Sequence, residues 1–315
     1  MGRTLVLLCL AMAMLLVLST ASAYAKEGSD QYPNGAENWF AGATPPPGLY
    51  YIDYFGYYTG QLKNGSGGKV SLNGTTPSVD ATFNAFRFLE MTHFRFLGAD
   101  YGVHAIVPLV HQSVDLNGRN GTTGLGDITI DPLVLGWHGE NWHAVAAFDI
   151  NLAAVVYSRS DPRISIGANY YSFEPLLALS YMPKSAWEAS VKIMYNLKTT
   201  NQATNYHSGQ DFHLDYLVGR HLGRWMLGAT GYALKQVTPD TVEGQTVPAE
   251  SGMWDAGREG RVLAAGPSIG YRSRSDLTFT AQWQHEMLVE NRFGGDKLWF
   301  KVAIPASRVL HRGKA

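Results

Sequence analysis

Two residues in this chain are spaced for nucleophilic chemistry: His111 and Ser113, separated by Gln112. Side chains two apart leave the same face of an extended strand, so His111 could serve as general base to a Ser113 nucleophile. A third polar group would have to orient the histidine, and Asn117 and Asn120 are the nearest in sequence. The same stretch also reads as the polar start of a loop. A hydrolase therefore stands only as a rival reading, because nucleophile, base and orienting group must all meet in space.

A second set of reactive types is spread along the chain at alternating positions. Asp127, Asp149, Glu174, Glu188, Asp211, Asp215 and Glu286, with Lys192, Lys297, Lys301, His143, His213, Gln282 and Gln284, fall on the polar side of runs whose other side is apolar. If those runs close into a tube, these side chains line it. Their acidic excess would disfavour anions modestly, or the charges pair across a narrow interior and fill it. Other chemistry is absent. There is no phosphate-binding loop, no His-Glu-x-x-His and no dinucleotide fingerprint. Asp115-Leu116-Asn117-Gly118 lacks the downstream acidic ligand of a calcium loop. No cofactor or metal is expected. With 25 Lys+Arg against 26 Asp+Glu, no basic stripe points to nucleic acid.

The elements that must position these residues read as strands. Trp187-Ala189-Val191-Ile193-Tyr195-Leu197, Phe212-Leu214-Tyr216-Val218, Leu277-Phe279-Ala281-Trp283 and Leu298-Phe300-Val302-Ile304 each alternate with a mostly polar set. The runs are about ten residues long, the length of a tilted membrane-spanning strand, and they carry charges in mid-strand, which a wet lumen tolerates. About twelve such runs are found, at 49–58, 81–91, 94–110, 126–137, 142–152, 170–181, 187–197, 211–222, 225–237, 260–272, 277–286 and 296–305. The runs from 81 and from 225 have no clear parity. Long polar connectors at 59–80, 111–125, 153–169, 198–210, 239–259 and 287–295 alternate with short turns near Thr92, Gly139, Pro183, Gly223 and Arg274. That alternation predicts an all-β, up-and-down transmembrane barrel with long extracellular loops, short periplasmic turns and both termini in the periplasm. Tyr50, Tyr54, Tyr57, Trp187, Tyr195 and Trp283 read as its aromatic girdles.

The ends fit that picture. Arg3, the apolar stretch Leu5 to Leu18 and the small residues Ser19 to Ala25 have the layout of a secretory signal over 1–25. Cys9 is the only cysteine and lies inside it, so the mature chain has neither a disulfide nor a thiol site. Residues 26–48 end in Pro45-Pro46-Pro47-Gly48, cannot ladder, and form a periplasmic lead-in or fold back into the pore as a plug. The barrel takes 49–305, and 306–315 is a basic tail.

The chain resembles the outer-membrane family named for the meta-pathway of phenol degradation, also called SphA-like. The resemblance rests on Gly124-Leu125-Gly126-Asp127, Tyr170-Tyr171-Ser172-Phe173-Glu174-Pro175, Phe212-His213-Leu214-Asp215-Tyr216, Gly260-Arg261-Val262 with Gly266-Pro267, and Glu290-Asn291-Arg292 with Gly295-Asp296-Lys297-Leu298-Trp299. It covers nearly all of the mature chain. It implies a porin-like channel for passive uptake of small hydrophobic or aromatic compounds in the outer membrane of a Gram-negative bacterium. The partners would be membrane lipid, a small apolar solute and the barrel-assembly machinery. Two readings from other classes stay open: a closed structural or adhesive barrel acting through its loops, and the lipid hydrolase of His111 and Ser113.

Overall fold

The computed structural model describes residues 31–116, 118–153, 157–158 and 165–306. The signal segment, Asn117 and the tail after Ala306 lie outside the described residues. Twelve antiparallel strands close into one barrel: β1 Gly48–Lys63, β2 Ser78–Phe96, β3 Ala99–Asp115, β4 Ile128–His138, β5 Trp142–Leu152, β6 Ser172–Tyr181, β7 Trp187–Lys198, β8 Asp211–Leu222, β9 Trp225–Gln236, β10 Arg261–Arg272, β11 Thr278–Glu290 and β12 Arg292–Pro305. Each strand pairs with its neighbours in sequence. The barrel closes between β1 and β12, from Tyr50↔Pro305 to Lys63↔Arg292. Closure leaves no open edge strand among these twelve, and lipid could not solvate one.

The outer wall is apolar. Phe55, Phe88, Leu177, Val218, Leu227, Ile269, Phe279 and Phe300 are all exposed on it. So continuous an exposed apolar band suits hydrocarbon and not water. At the turn end, Trp142 packs on Tyr181 at 4.5 Å between ring centroids and Trp225 on Tyr271 at 4.9 Å, placing aromatic rings at the band's rim.

The strands are in places longer than alternation indicates. β1, β2 and β3 run 16, 19 and 17 residues. The ladder of β2 continues past Thr92, and the chain turns at Leu97 (φ 51°) and Gly98 (φ 76°). Two expected loops are also ladder. Arg119–Leu125 pairs with the far end of β3, Leu109↔Leu125 to Asp115↔Arg119, before β4 begins. The 287–295 connector reduces to Asn291, because β11 ends at Glu290 and β12 starts at Arg292. Gly295 there looks like a loop residue but allows close strand packing: a Cβ on it would lie 2.1 Å from the Thr59 carbonyl oxygen. At the loop end, short strands Tyr206–His207, Thr241–Val242 and Gln245–Thr246 form a small sheet. Asp240 anchors it, accepting from Gly209 N (2.6 Å) and from the Tyr206 hydroxyl.

Candidate functional site: a divided lumen

A peptide segment inside a barrel has no strand ladder, so lumen side chains must satisfy its backbone. Residues 31–44 do lie inside, and they account for most of the mid-strand polar residues. Asp215 accepts from Gly35 N (2.8 Å), Glu37 N (3.3 Å) and the Tyr32 hydroxyl (2.7 Å). Glu188 accepts from Phe40 N (2.5 Å), and Ser180 from Gly42 N (2.9 Å). Gln282 donates to the Gly35 carbonyl (2.7 Å), Lys297 donates to the Asn34 carbonyl (3.0 Å), and His213 Nδ1 pairs with Asn34 Oδ1 (2.8 Å). Asn38 donates to Thr230 (2.7 Å) and the Trp39 indole to Ser268 (2.9 Å). Trp39 seats on Leu217 and Met226 over Gly219, where a Cβ would lie 2.3 Å from the ring.

Glu37 is the electrostatic centre of this segment. Its carboxylate meets Arg87 Nη1 at 2.5 Å and Lys301 Nζ at 3.2 Å, and accepts from the Tyr54 hydroxyl. Burial alone would raise its pKa, but Lys301 and Arg87 outweigh that and hold the carboxyl well below the usual carboxylate range. Tyr54 is therefore a lumen residue, 4% exposed, and not the girdle residue that the aromatic count suggested. Tyr50 also faces inward, toward the cavity. The cause is β1's phase: its even-numbered residues point in, which puts Asp53 on the outer wall with Asn84 Nδ2 2.7 Å away.

The segment also reaches the wall of β2 to β6: Ala36 clusters with Ala85, Ala41 packs on Val134, Val145 and Ala178, and Thr44 Oγ1 lies 2.9 Å from His138 Nε2. The inner faces of β2 to β6 mix apolar side chains with Arg87, His104, Gln112, Asp149, Asn151 and Glu174. The apolar ones, Ala81, Phe83, Ala85, Ile106, Val110, Val134, Val145, Ala147, Leu176 and Ala178, line a cavity of about 780 Å³. Its lining runs from Ile166, Met253 and Trp254 at the loop end to Arg272, Asp276 and Pro305 at the opposite mouth.

Thirteen of the fourteen lumen candidates are buried or line the cavity; the fourteenth, His143, does neither and lies at the turn end with its Nδ1 2.9 Å from His138 Nδ1. Asp127, Asp149, Glu174, Lys192, Asp211, Glu286, Lys297 and Lys301 reach the cavity, whereas Glu188, His213, Asp215, Gln282 and Gln284 lie buried outside its lining. Several are paired: Asp211 with Lys198, Glu174 with the Asn196 amide (2.5 Å), and Glu286 with Tyr232 and with Tyr58 (2.9 Å). Polar side chains thus face inward around the barrel, interspersed with apolar ones on β2 to β6. Sequence reading missed Tyr32, Glu37 and Arg87. The first two sit in a Pro-rich stretch without periodicity, and Arg87 lies on a strand whose two faces are both largely apolar.

His111 and Ser113 do share the outer face. His111 is exposed, and its Nδ1 lies 2.7 Å from Thr123 Oγ1 on the adjoining ladder. Among the described residues one cluster has metal-ligand types close together. His104 Nε2 is 3.1 Å from Asp149 Oδ1 and 3.6 Å from Asp131 Oδ2. Both Asp131 oxygens already accept backbone N–H groups, from Leu133 (2.7 Å) and Phe148 (3.2 Å). The triad sits where the β3–β4 and β4–β5 registers shift, so it braces a bulged piece of wall.

Comparison with known proteins gives one family. The model of the family described as "Putative MetA-pathway of phenol degradation" matches residues 55–302. Among solved structures, an outer membrane channel from Pseudomonas putida F1 is similar at 12% identity and a TM-score of 0.70, over 83% of this chain and 96% of that one. Looser likenesses include the translocator domain of the autotransporter NalP from Neisseria meningitidis (11% identity, TM-score 0.48, 84% and 90% covered). Another is the Pseudomonas putida toluene transporter TodX (10% identity, TM-score 0.45, 90% and 94% covered). No curated protein matches the chain in sequence.

Proposed function

Starting from the fact that this chain belongs to the phenol-degradation MetA-pathway family, we propose that it is an outer-membrane channel for passive uptake of small hydrophobic or aromatic compounds. The observation that carries the reading is the set of apolar side chains, among them Phe83, Ile106, Val110, Ala147 and Leu176, that β2 to β6 turn into the cavity beside their polar residues. A channel for sugars or ions would line its path with polar groups. Here those apolar side chains flank a cavity of about 780 Å³ that reaches toward both mouths. An aromatic solute entering it loses little hydration and gains contact with Ile106, Ala147 and Leu176.

In this reading the long loops face outward, both termini are periplasmic, and lipid surrounds the barrel. Residues 31–44 act as a plug that narrows the lumen against water and ions, leaving the cavity beside Ile106, Ala147 and Leu176 for the solute. No energy source enters, since the solute moves down its gradient.

The test is entry of toluene, phenol, glycerol and glucose into vesicles bearing the folded barrel. The outer leaflet should be lipopolysaccharide, which slows unassisted entry of apolar solutes. Faster entry of toluene and phenol than of the polar pair is the expected result. Entry no faster than in protein-free vesicles for all four would replace the channel with a closed barrel acting through its loops.

A further inference from the structure

Lys192 is 8% exposed and lines the cavity, on β7. A buried ammonium is costly unless oxygens receive its three N–H donors. In the β7–β8 register, Lys192 stands directly opposite Asp215, the carboxylate placed to do so. The N-terminal segment has taken it. Asp215 Oδ1 holds Gly35 N, and Oδ2 holds Glu37 N and the Tyr32 hydroxyl. The Tyr32 ring instead lies against the ammonium, 4.5 Å from Nζ to its centroid. The ring and the nearby charges of Glu37, Asp149 and Asp215 offset that of Lys192, but the ring accepts no ordinary hydrogen bond, and among the described residues none is made to Nζ. The donors are left facing the cavity, beside Ala178, its cross-strand neighbour on β6.

We propose that Lys192 is the polar anchor of the solute site: it donates to an oxygen on the incoming molecule while the apolar body of that molecule lies along Ala147 and Leu176. This rests on the uptake reading above and narrows it to oxygen-bearing amphiphiles. Asp149 and Glu174 line the same cavity. A neutral hydroxyl, which accepts from the ammonium and donates to a carboxylate, therefore matches the surroundings better than a carboxylate, which meets repulsion there. The shared chemistry is the accepting oxygen, and the two sources are separated by experiment.

The test is ¹⁹F NMR titration of 4-fluorophenol, 4-fluorobenzoate and 4-fluorotoluene against the folded barrel in nanodiscs. Wild type is compared with Lys192→Met and Lys192→Arg, each checked for barrel closure by heat-modifiable mobility. The expected result is a loss of at least about tenfold in 4-fluorophenol affinity in Lys192→Met. Lys192→Arg should restore much of it, and 4-fluorotoluene should stay unchanged. A larger loss for 4-fluorobenzoate than for the phenol would keep the anchor and make the head a carboxylate. If 4-fluorotoluene binds but the oxygen-bearing pair are indifferent to the substitution, the anchor is overturned and the uptake reading survives. If none of the three binds the folded wild-type barrel, both fall.

Discussion

Glu37 and Arg87 meet inside the barrel at 2.5 Å, and the same carboxylate reaches Lys301 at 3.2 Å on the far side of β1. One residue of a non-strand segment thus ties together strands 50 and 264 positions away in sequence. Removing the carboxylate leaves two buried cations facing each other, which costs more than the loss of the attraction itself. Glu37→Ala should release the segment and raise single-channel conductance severalfold, with the barrel still closed. Planar-bilayer recording checks this, and unchanged conductance would mean that the remaining hydrogen bonds hold the segment alone.

The pH dependence follows from the same pair. Because Lys301 and Arg87 outweigh burial and depress the Glu37 pKa, its contribution is present above the ordinary value of about 4.3. It fades only as pH falls through the lower value in the folded state. Wild-type conductance should stay flat from neutral pH down to about 4. A rise between pH 7 and 5 would place control in another group.

Asp215 should matter nearly as much. It receives three donors from the segment. Asp215→Asn keeps the shape but turns one acceptor into a donor facing donors, a loss of about 1.5–3 kcal/mol for charge-assisted bonds. Amide hydrogen exchange of Gly35 and Glu37 should accelerate by about tenfold or more, while the strand amides stay protected.

The outer-face pair gives a negative expectation. His111 already engages Thr123 on the adjoining ladder. Ser113→Ala should leave any esterase background unchanged in a fluorogenic-ester assay. A clear drop would revive the hydrolase.

How far the molecule was legible in its sequence depended on contrast between the two faces of each strand. β7, β8, β11 and β12 carry polar lumen residues against an apolar outer wall, so Lys192, Asp215, Gln282 and Lys301 could be placed inward by parity alone. β2 gave no parity because Ala81, Phe83 and Ala85 face in while Phe86 and Phe88 face out. That lack of alternation was itself the mark of apolar side chains facing the lumen. Gly294-Gly295 read as loop, yet they sit in the ladder opposite Gln61 and Gly60. The inner segment was beyond local reading: the partners of Gly35, Asn38 and Trp39 lie about 180 to 250 residues further on, and no periodicity links them.

The central claim, that solute travels along the apolar side chains of β2 to β6 beside an anchored segment, is tested most directly by photolabelling. A diazirine-bearing toluene analogue is reacted with the folded barrel in nanodiscs, with and without excess unlabelled toluene, and the modified residues are mapped. Labels at Ile106, Ala147 and Leu176 that disappear on competition are the expected result. Labels confined to outer-wall residues such as Phe88, Leu177 and Phe300, with no competition inside, would contradict the account.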